Sequence, residues 1–147
     1  MNPESISPFT AHQKRLIRQS FESVREYSDS VVLLFYGRLF ELDPSARHLF
    51  KISIREQAKK LLETLGTVVD ALDHFEPLRA KLTELGKRHV AYGVRPDQYD
   101  TLRNALLWAM GQALGAEFDR ETKSAWDSLL VSISAVMLEA AAQETAR

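Results

Sequence analysis

The spacing of apolar residues is the feature that most restricts what this chain can fold into. Over residues 16–137, apolar side chains recur at intervals of three and four positions. Sustained alternation of apolar and polar residues is absent, and so are the Asn-Gly and Asp-Gly dipeptides that mark tight hairpins. Because an interval of 3.6 residues describes one face of an α-helix, the chain is predicted to be all-α, with seven or eight helices and no sheet.

Capping signals predict where these helices begin and end. Thr10 and Gln13 have the spacing of a capping box, with Phe9 as a candidate hydrophobic staple, and Ser53 and Glu56 have the same spacing. A second helix is expected over about residues 30–42. The other helix boundaries are predicted from prolines, glycines and aspartates. Helices are expected to start at Pro44 (capped by Asp43), Pro77, Pro96 and Asp119. They are expected to end near Phe50, Gly93 and Gly115.

Composition limits the chemistry that the chain can carry. Its 147 residues suit one domain, which we take as residues 1–147 with an N-terminal extension over 1–9 and a frayed tail over 142–147. The chain has no cysteine, which excludes disulfides, thiolate metal sites, iron–sulfur clusters and cysteine nucleophiles. With 19 basic and 20 acidic residues, it lacks the charge of a nucleic-acid-binding protein.

No segment resembles a membrane span or a targeting signal. The uninterrupted apolar runs, such as residues 31–36, reach only six residues, far fewer than the roughly 20 residues of a membrane-spanning helix. The first ten residues are polar, include two prolines and do not resemble a secretion signal. We therefore expect no membrane partner and a cytoplasmic location.

One apolar stripe ends in a histidine. The helix predicted after Pro77 presents Leu78, Leu82, Leu85 and His89 at spacings of four, three and four. A buried histidine is most often a core residue whose ring is hydrogen-bonded to a carbonyl or hydroxyl group. The alternative is an axial ligand to a buried metal cofactor, with one ring nitrogen on the metal and the other donating to the Leu85 carbonyl one turn back.

Four residues on other helices could face His89 across a pocket. Tyr36 lies in a strongly apolar helix, Phe50 ends the short helix, and Gln57 and Leu61 lie four positions apart on one face of the next helix. Each has an ordinary interpretation on its own, Tyr36 and Phe50 as core aromatics and Gln57 as a solvated first-turn residue. Each of these signals is weak alone, and the spacing among them is what resembles a known family.

This spacing resembles that of globins. Residues 34–50, LFYGRLFELDPSARHLF, are similar to the B and C helices of that family, and residues 82–94, LTELGKRHVAYGV, are similar to its F helix and FG corner. Over residues 10–140 the helix order then becomes A, B, C, E, F, G and H, with D absent. The resemblance implies a globin fold, with residues 1–147 forming a single globin domain.

The resemblance also implies roles for individual residues. His89 matches the proximal histidine that ligates the haem iron, and Tyr36 and Gln57 match the distal pair of flavohaemoglobins and bacterial single-domain haemoglobins. Lys60 and Arg88 lie near the usual place of the haem propionates, although solvated surface charges are the favoured interpretation. The implied cofactor-binding positions are Phe50, which packs on the haem, Leu61, which covers the ligand site, and Lys60, Leu85, Arg88, His89, Val94 and Tyr99.

One departure from the flavohaemoglobin pattern concerns the proximal side. In those proteins a glutamate late in the H helix completes a hydrogen-bond network with the proximal histidine and the G-helix tyrosine. The matching position here is Ala141, and Glu139 lies about 200° around the helix from it. The carry-over of peroxidase-like proximal chemistry is therefore weakened.

The cofactor implied by the resemblance is haem b, held without a covalent bond because the chain has no cysteine. Such a protein binds dioxygen, nitric oxide or carbon monoxide at ferrous iron, and Tyr36 and Gln57 would both donate hydrogen bonds to dioxygen. Two donors to a charged acceptor, at about 1.5–3 kcal/mol each, would slow oxygen release by orders of magnitude. Tyr36 could alternatively ligate ferric iron as a phenolate.

Three classes of function stay open at this point. The first is reversible binding of dioxygen for storage, delivery or sensing. The second is an enzyme, a nitric oxide dioxygenase; because 147 residues leave no room for a flavin or nicotinamide domain, a separate reductase would supply its electrons. The third is a haem-based gas sensor or a haem-free globin-fold interaction module.

Overall fold

Six α-helices and two short 3₁₀ helices make up the computed structural model, which describes residues 8–50 and 53–145, with only the backbone described at residue 145. In chain order they are α1 (Ala11–Glu26), α2 (Ser28–Leu42), a 3₁₀ helix (Pro44–Leu49), α3 (Ile54–Asp70), α4 (Phe75–Tyr92), α5 (Pro96–Leu114), a second 3₁₀ helix (Gly115–Glu117) and α6 (Arg120–Thr145). The described residues contain no strand, so the all-α prediction is confirmed.

Side-chain caps form at several of the predicted helix starts. The Thr10 hydroxyl accepts a hydrogen bond from the backbone N–H of Gln13, and the side-chain oxygen of Gln13 accepts one from the backbone N–H of Thr10. This capping box is therefore complete. The Ser53 hydroxyl accepts from the Glu56 amide at the start of α3. These bonds satisfy amide groups that have no partner within the first turn of a helix.

Two predicted starts were wrong by two residues. Helix α2 begins at Ser28 rather than at residue 30, directly after α1. Helix α4 begins at Phe75 rather than at Pro77. Pro77 is accommodated in the first turn because its missing N–H is one of the amide groups that would have no intrahelical partner.

The ends of the chain are only partly described. Residues 1–7 of the predicted extension and residues 146–147 of the predicted tail lie outside the described residues. Helix α6 continues to Thr145, through most of the segment that we expected to be frayed.

The helix that carries His89, α4, packs most extensively against α6. Gly86 lies at their closest approach, because a Cβ atom added there would come within 2.5 Å of the Met137 carbonyl oxygen and 2.8 Å of its Cα. Only glycine allows the two backbones to lie this close. The position of His89, three residues further along α4, therefore depends on a backbone contact with α6.

Helix α6 also anchors the first helix. The Trp126 indole is fully buried and donates to the Ser20 hydroxyl at 2.7 Å, and that hydroxyl donates to the Leu16 carbonyl at 2.6 Å. Phe21 packs against the same indole, with ring centroids 6.2 Å apart. The face of α6 that carries Trp126 is thus part of the core.

The expectation that no segment resembles a membrane span needs correction for α6. By length and composition, α6 is apolar enough to cross a bilayer, although its apolar residues do not form one uninterrupted run. Trp126, Leu129 and Met137 of this helix are buried among the other helices. Its apolar composition follows from this central position, since a core helix passes the same test as a membrane span.

Candidate functional site

The His89 imidazole is held in one orientation by its own helix. Its Nδ1 atom lies 2.8 Å from the Leu85 carbonyl oxygen, as predicted from the spacing of four. A carbonyl can only accept, so Nδ1 carries the proton and Nε2 keeps a free lone pair in the neutral ring. Burial lowers the pKa of His89 below its usual 6.5, and the charge of Arg88 lowers it further against the opposing effect of the Leu85 bond. The ring is therefore a neutral donor suited to a metal.

Two tyrosines flank this imidazole. The Tyr99 ring centroid lies 6.2 Å from that of His89, and the Tyr92 centroid lies 6.1 Å away. Tyr99 is buried, which raises its pKa, whereas Tyr92 is 57% exposed. The sequence predicted Tyr99 at this site and missed Tyr92, although its spacing of three from His89 places it on the same side of α4.

The described residues show no carboxylate bonded to His89 or Tyr99 on the proximal side. Ala141 is buried, and Glu139 is exposed on another face of α6. The buried Tyr99 hydroxyl has no hydrogen-bond partner within the described part of the chain. The network that a glutamate would complete is thus not formed by these residues.

The turn after α4 brings one more predicted residue beside His89. Gly93 ends the helix with φ of 92°, a left-handed conformation that glycine adopts without steric cost. The Val94 amide then donates to the His89 carbonyl at 3.0 Å, and its side chain is half-buried.

An aromatic cluster surrounds Tyr36 on α2. The Phe50 ring meets the Tyr36 ring edge-on with centroids 5.2 Å apart, and Phe40 lies 6.0 Å from Tyr36 and 5.7 Å from Phe50. Burial raises the pKa of Tyr36 to about 12. Its phenol therefore keeps its proton at neutral pH and can donate a hydrogen bond. Phe40 was missed by the sequence analysis, although it lies one turn after Tyr36.

Helix α3 presents the predicted pair Gln57 and Leu61 on one face. Both side chains are half-buried, and Ala58 and Leu65 on the adjoining face are buried in the core. The Gln57 side chain has no hydrogen bond to another described residue. Its amide is thus available to a ligand. Lys60, about 60° around the helix from Gln57, is exposed.

A groove of about 500 Å³ lies between α3 and α4. Val68 of α3 and Leu82 and Leu85 of α4 form part of its apolar lining, and Arg88 lies at its edge. Leu85 and Arg88 are predicted site residues, but His89 and Gln57 do not line this groove. The two helices therefore stand apart along part of their length, beside the predicted site.

A polar contact that the sequence analysis missed joins the two sides of the site. The Asp43 carboxylate, which caps the first 3₁₀ helix, accepts a hydrogen bond from the Gln98 amide at 3.1 Å. Gln98 is buried, and its side-chain oxygen Oε1 accepts a hydrogen bond from the backbone N–H of Arg95 at 2.8 Å. Of the residues in this contact, only Asp43 could be singled out from the sequence, as the cap of the helix that begins at Pro44. Its partner lies 55 residues away, and no sequence spacing predicts that pairing.

These residues fit a flat, largely apolar cofactor with a metal at its centre. His89 supplies one free imidazole nitrogen, and Tyr36 and Phe50 supply an aromatic wall. Lys60 and Arg88 are exposed cations that could pair with acidic groups at the edge of such a cofactor.

Comparisons with known proteins agree on one family. The family model for globins matches residues 33–137. Hemoglobin subunit alpha-D of Chelonoidis niger is 31% identical over 140 residues, which cover 88% of this chain and 96% of the relative. Neuroglobin of Tetraodon nigroviridis is 26% identical over 146 residues, which cover 90% of this chain and 92% of the relative.

Solved bacterial structures share the fold. An engineered carbene transferase built on a proposed nitric oxide dioxygenase of Rhodothermus marinus superposes with a TM-score of 0.83 at 22% identity, covering 94% of this chain and 96% of that one. A bacterial globin of Campylobacter jejuni gives a TM-score of 0.81 at 20% identity, with coverage of 94% and 100%.

Proposed function

The chain belongs to the globin family, whose members are gas-binding haem proteins, and on that premise we propose that it binds haem b and takes up dioxygen, nitric oxide or carbon monoxide. The observation that carries the proposal is the His89 imidazole. Its Nδ1–H is engaged by the Leu85 carbonyl, and its Nε2 is free to coordinate iron. When bound, haem supplies an iron atom with one coordination position for His89 and one for a diatomic gas.

Residues around His89 would enclose the proximal side of the haem. Leu85, Val94 and Tyr99 provide apolar surface there, supported by the bond of the Val94 amide to His89. The absence of cysteine leaves coordination and burial as the means of holding the cofactor, which is why haem b is proposed. Exposed Lys60 and Arg88 would pair with the two propionates at little cost in desolvation.

Residues on the distal side would bind and shield the gas. Tyr36 donates its protonated hydroxyl, and Gln57 offers an amide that has no other described partner. Phe50 and Leu61 exclude water from the same space, which strengthens hydrogen bonds made there. A pair of neutral donors in a dry pocket favours a ligand whose outer atom carries negative charge, as dioxygen does on ferrous haem.

An absorption spectrum tests this proposal directly. The purified protein is expected to show an intense Soret band, and its ferrous, ferric and oxygenated spectra report the coordination of iron. His89→Ala should lose haem during purification, or bind it at least about tenfold more weakly, because it removes the side chain that ligates iron. His74→Ala is the matched control, since His74 is exposed before the first turn of α4.

Two outcomes would contradict the proposal. A colourless wild-type protein would refute haem binding and favour an interaction module without haem. Full retention of haem by His89→Ala would refute the ligand assignment while leaving the family unchanged.

Nitric oxide dioxygenation is the second candidate function. The observation that favours it is the buried Tyr36 phenol, which keeps its proton and would hold dioxygen in the pocket by a hydrogen bond. Haem, when bound, would supply the iron, and nitric oxide, dioxygen and one electron from a reductase would together yield nitrate. The structural neighbour from Rhodothermus marinus was engineered from a proposed nitric oxide dioxygenase, but at 22% identity the similarity supports the fold alone. Nitrate yield per electron, measured with an added reductase, distinguishes catalysis from simple gas binding.

A further inference from the structure

Positive charge is concentrated in one short part of the chain. Residues 47–60 contain five basic side chains and one acidic side chain, so this segment carries a formal charge of +4. The other 133 residues contain 14 basic and 19 acidic side chains and carry −5. The overall charge of −1 therefore hides a strongly uneven distribution.

Four of these basic side chains form what we call the distal basic surface, Arg47, Arg55, Lys59 and Lys60. All four are exposed, and none forms an ion pair with another residue in the described part of the chain. Lys51, the fifth, lies outside the described residues.

Basic residues elsewhere are mostly neutralised by acidic neighbours. The paired ones, within the described ranges 8–50 and 53–145, include Lys14 and Arg18 on Asp73, Arg38 on Glu41, Arg79 on Glu76, Lys87 on Glu84 and Arg103 on Asp100 and Asp127. The distal basic surface therefore stands out among the described residues as four unpaired basic side chains within 14 consecutive residues.

The stability of α3 does not explain these charges. Arg55 lies in the first turn of the helix, where the helix dipole disfavours a cation. Lys59 lies four residues further along the same face, so the two like charges repel each other. Glu56 and Glu63 lie four residues from Lys60 and Lys59, but no ion pair forms between them in the described residues. The unpaired charges of Arg55 and Lys59 therefore suit an external partner of negative charge.

The position of this surface relates it to the proposed gas site. Arg55, Lys59 and Lys60 share α3 with Gln57 and Leu61. At 3.6 residues per turn, Arg55 and Lys59 lie on the side of the helix away from Gln57, whereas Lys60 lies only about 60° around the helix from Gln57, beside the proposed site. On the preceding 3₁₀ helix, the Arg47 guanidinium stacks 4.6 Å from the centre of the Phe40 ring, which in turn contacts Tyr36.

We propose that the distal basic surface docks an acidic protein that donates single electrons to the haem, of the kind that carries its flavin or iron–sulfur group beneath an acidic face. This inference rests on the proposed haem function. In the docked complex one electron passes from the reduced donor to ferric haem, and no bond forms or breaks. Lys60 is shared with the proposed propionate contact, so Arg47, Arg55 and Lys59 carry most of the docking.

A compact acidic protein fits this surface better than a nucleic acid does. Four side chains on the 3₁₀ helix and the first two turns of α3 make a small footprint, and the remaining 133 residues carry −5 and would repel an extended polyanion. A protein with a local acidic patch meets the basic surface without meeting that repulsion.

The test uses the holoprotein and a reduced plant-type ferredoxin as the acidic donor. Arg55→Glu/Lys59→Glu reverses two charges on the surface, and Arg120→Glu/Lys123→Glu makes the same change at two exposed basic residues of α6 that have no described ion pair. Stopped-flow absorbance gives the second-order rate constant for reduction of ferric haem at low and at high ionic strength. Calorimetry with oxidised ferredoxin gives the dissociation constant independently of electron transfer.

Wild-type reduction should slow as salt is added, because screening weakens charge steering. Arg55→Glu/Lys59→Glu should react about tenfold or more slowly at low ionic strength, lose most of the salt dependence and bind ferredoxin more weakly. The α6 control should stay within about twofold of wild type, since its charges lie outside the docking surface. Reduction by dithionite should be equal in all three proteins.

Several results would overturn the proposal. Equal slowing in both double variants would show an effect of net charge alone, and unchanged rates in the α3 variant would exclude docking there. Tighter binding of a DNA duplex than of ferredoxin, lost in the same variant, would assign the surface to nucleic acid. A protein without haem would overturn the proposed function and this inference together, whereas a normal spectrum with unchanged rates would overturn this inference alone.

Discussion

At the scale of single residues, the chemistry of the distal side depends on the protonation state of Tyr36. The ring is buried against Phe50 and Phe40, and this burial raises the pKa of the hydroxyl to about 12. The group therefore keeps its proton throughout the physiological range and acts as a donor. The aromatic contacts also fix the ring, so the hydroxyl needs little reordering when a ligand arrives.

Removing that hydroxyl should speed oxygen release. Tyr36→Phe keeps the ring and its packing but deletes one donor to a charged acceptor, a loss of about 1.5–3 kcal/mol that corresponds to roughly a tenfold to hundredfold faster rate. Flash photolysis or stopped-flow mixing measures this rate. Tyr27→Phe is the control, because Tyr27 is 48% exposed at the junction of α1 and α2. An unchanged rate in Tyr36→Phe would contradict the donor role.

The contacts of a residue could be predicted from the sequence where they depend on the spacing of neighbours along one helix. The spacing of four between Leu85 and His89 predicted the hydrogen bond that the structure contains. The functional roles of Tyr36, Gln57 and His89 stay predictions. Tyr92 and Phe40 were missed because an exposed tyrosine and one more aromatic in an apolar helix have no distinctive pattern.

At the scale of helices, the contact between α4 and α6 sets the position of the proximal histidine. Gly86 faces the Met137 backbone, and no side-chain rotation can relieve a clash with a carbonyl group. Gly37 on α2 provides the opposite case, since a Cβ added there meets nothing within 4 Å.

Substituting alanine at these two glycines should change stability in opposite directions. Gly86→Ala should lower the free energy of unfolding by about 1–3 kcal/mol or more, because α4 must move away from α6. Gly37→Ala should raise it by up to about 1 kcal/mol, because alanine is the better helix former. Urea denaturation of both holoproteins, followed by circular dichroism, measures the difference. Gly86→Ala should also lose haem faster, and a stable variant with normal haem retention would exclude the close contact.

At the scale of the whole molecule, Asp43 joins the end of α2 to the start of α5. Its pKa lies below the usual 3.8, first because the Ser45 hydroxyl and the Gln98 amide donate to the carboxylate and also because Arg95 lies nearby. The folded protein thus binds this proton less tightly than the unfolded chain. The resulting stabilisation is present above about pH 4 and is lost as the pH falls through the lower, folded pKa.

The variant Asp43→Asn should therefore be less stable than wild type at neutral pH, and the difference should shrink below pH 3.8. Urea midpoints measured from pH 7 down to pH 3 test this dependence. Asp70→Asn serves as the control, since Asp70 is exposed at the end of α3 and has no ion pair within the described residues. A stability difference between Asp43→Asn and wild type that does not change with pH would contradict the ionic contribution.

The sequence by itself determined the helices and the stripe that ends at His89, because helix periodicity, capping and i,i+4 contacts involve residues close together in the chain. Through the resemblance to globins, the sequence also predicted that Tyr36, Gln57 and Phe50 belong to one pocket. Only the tertiary structure decided that Asp43 meets Gln98, that Gly86 meets the Met137 backbone and that the Tyr99 hydroxyl has no partner among the described residues. These contacts depend on how helices distant in the chain cross and pack, and the local pattern of side chains does not specify that geometry.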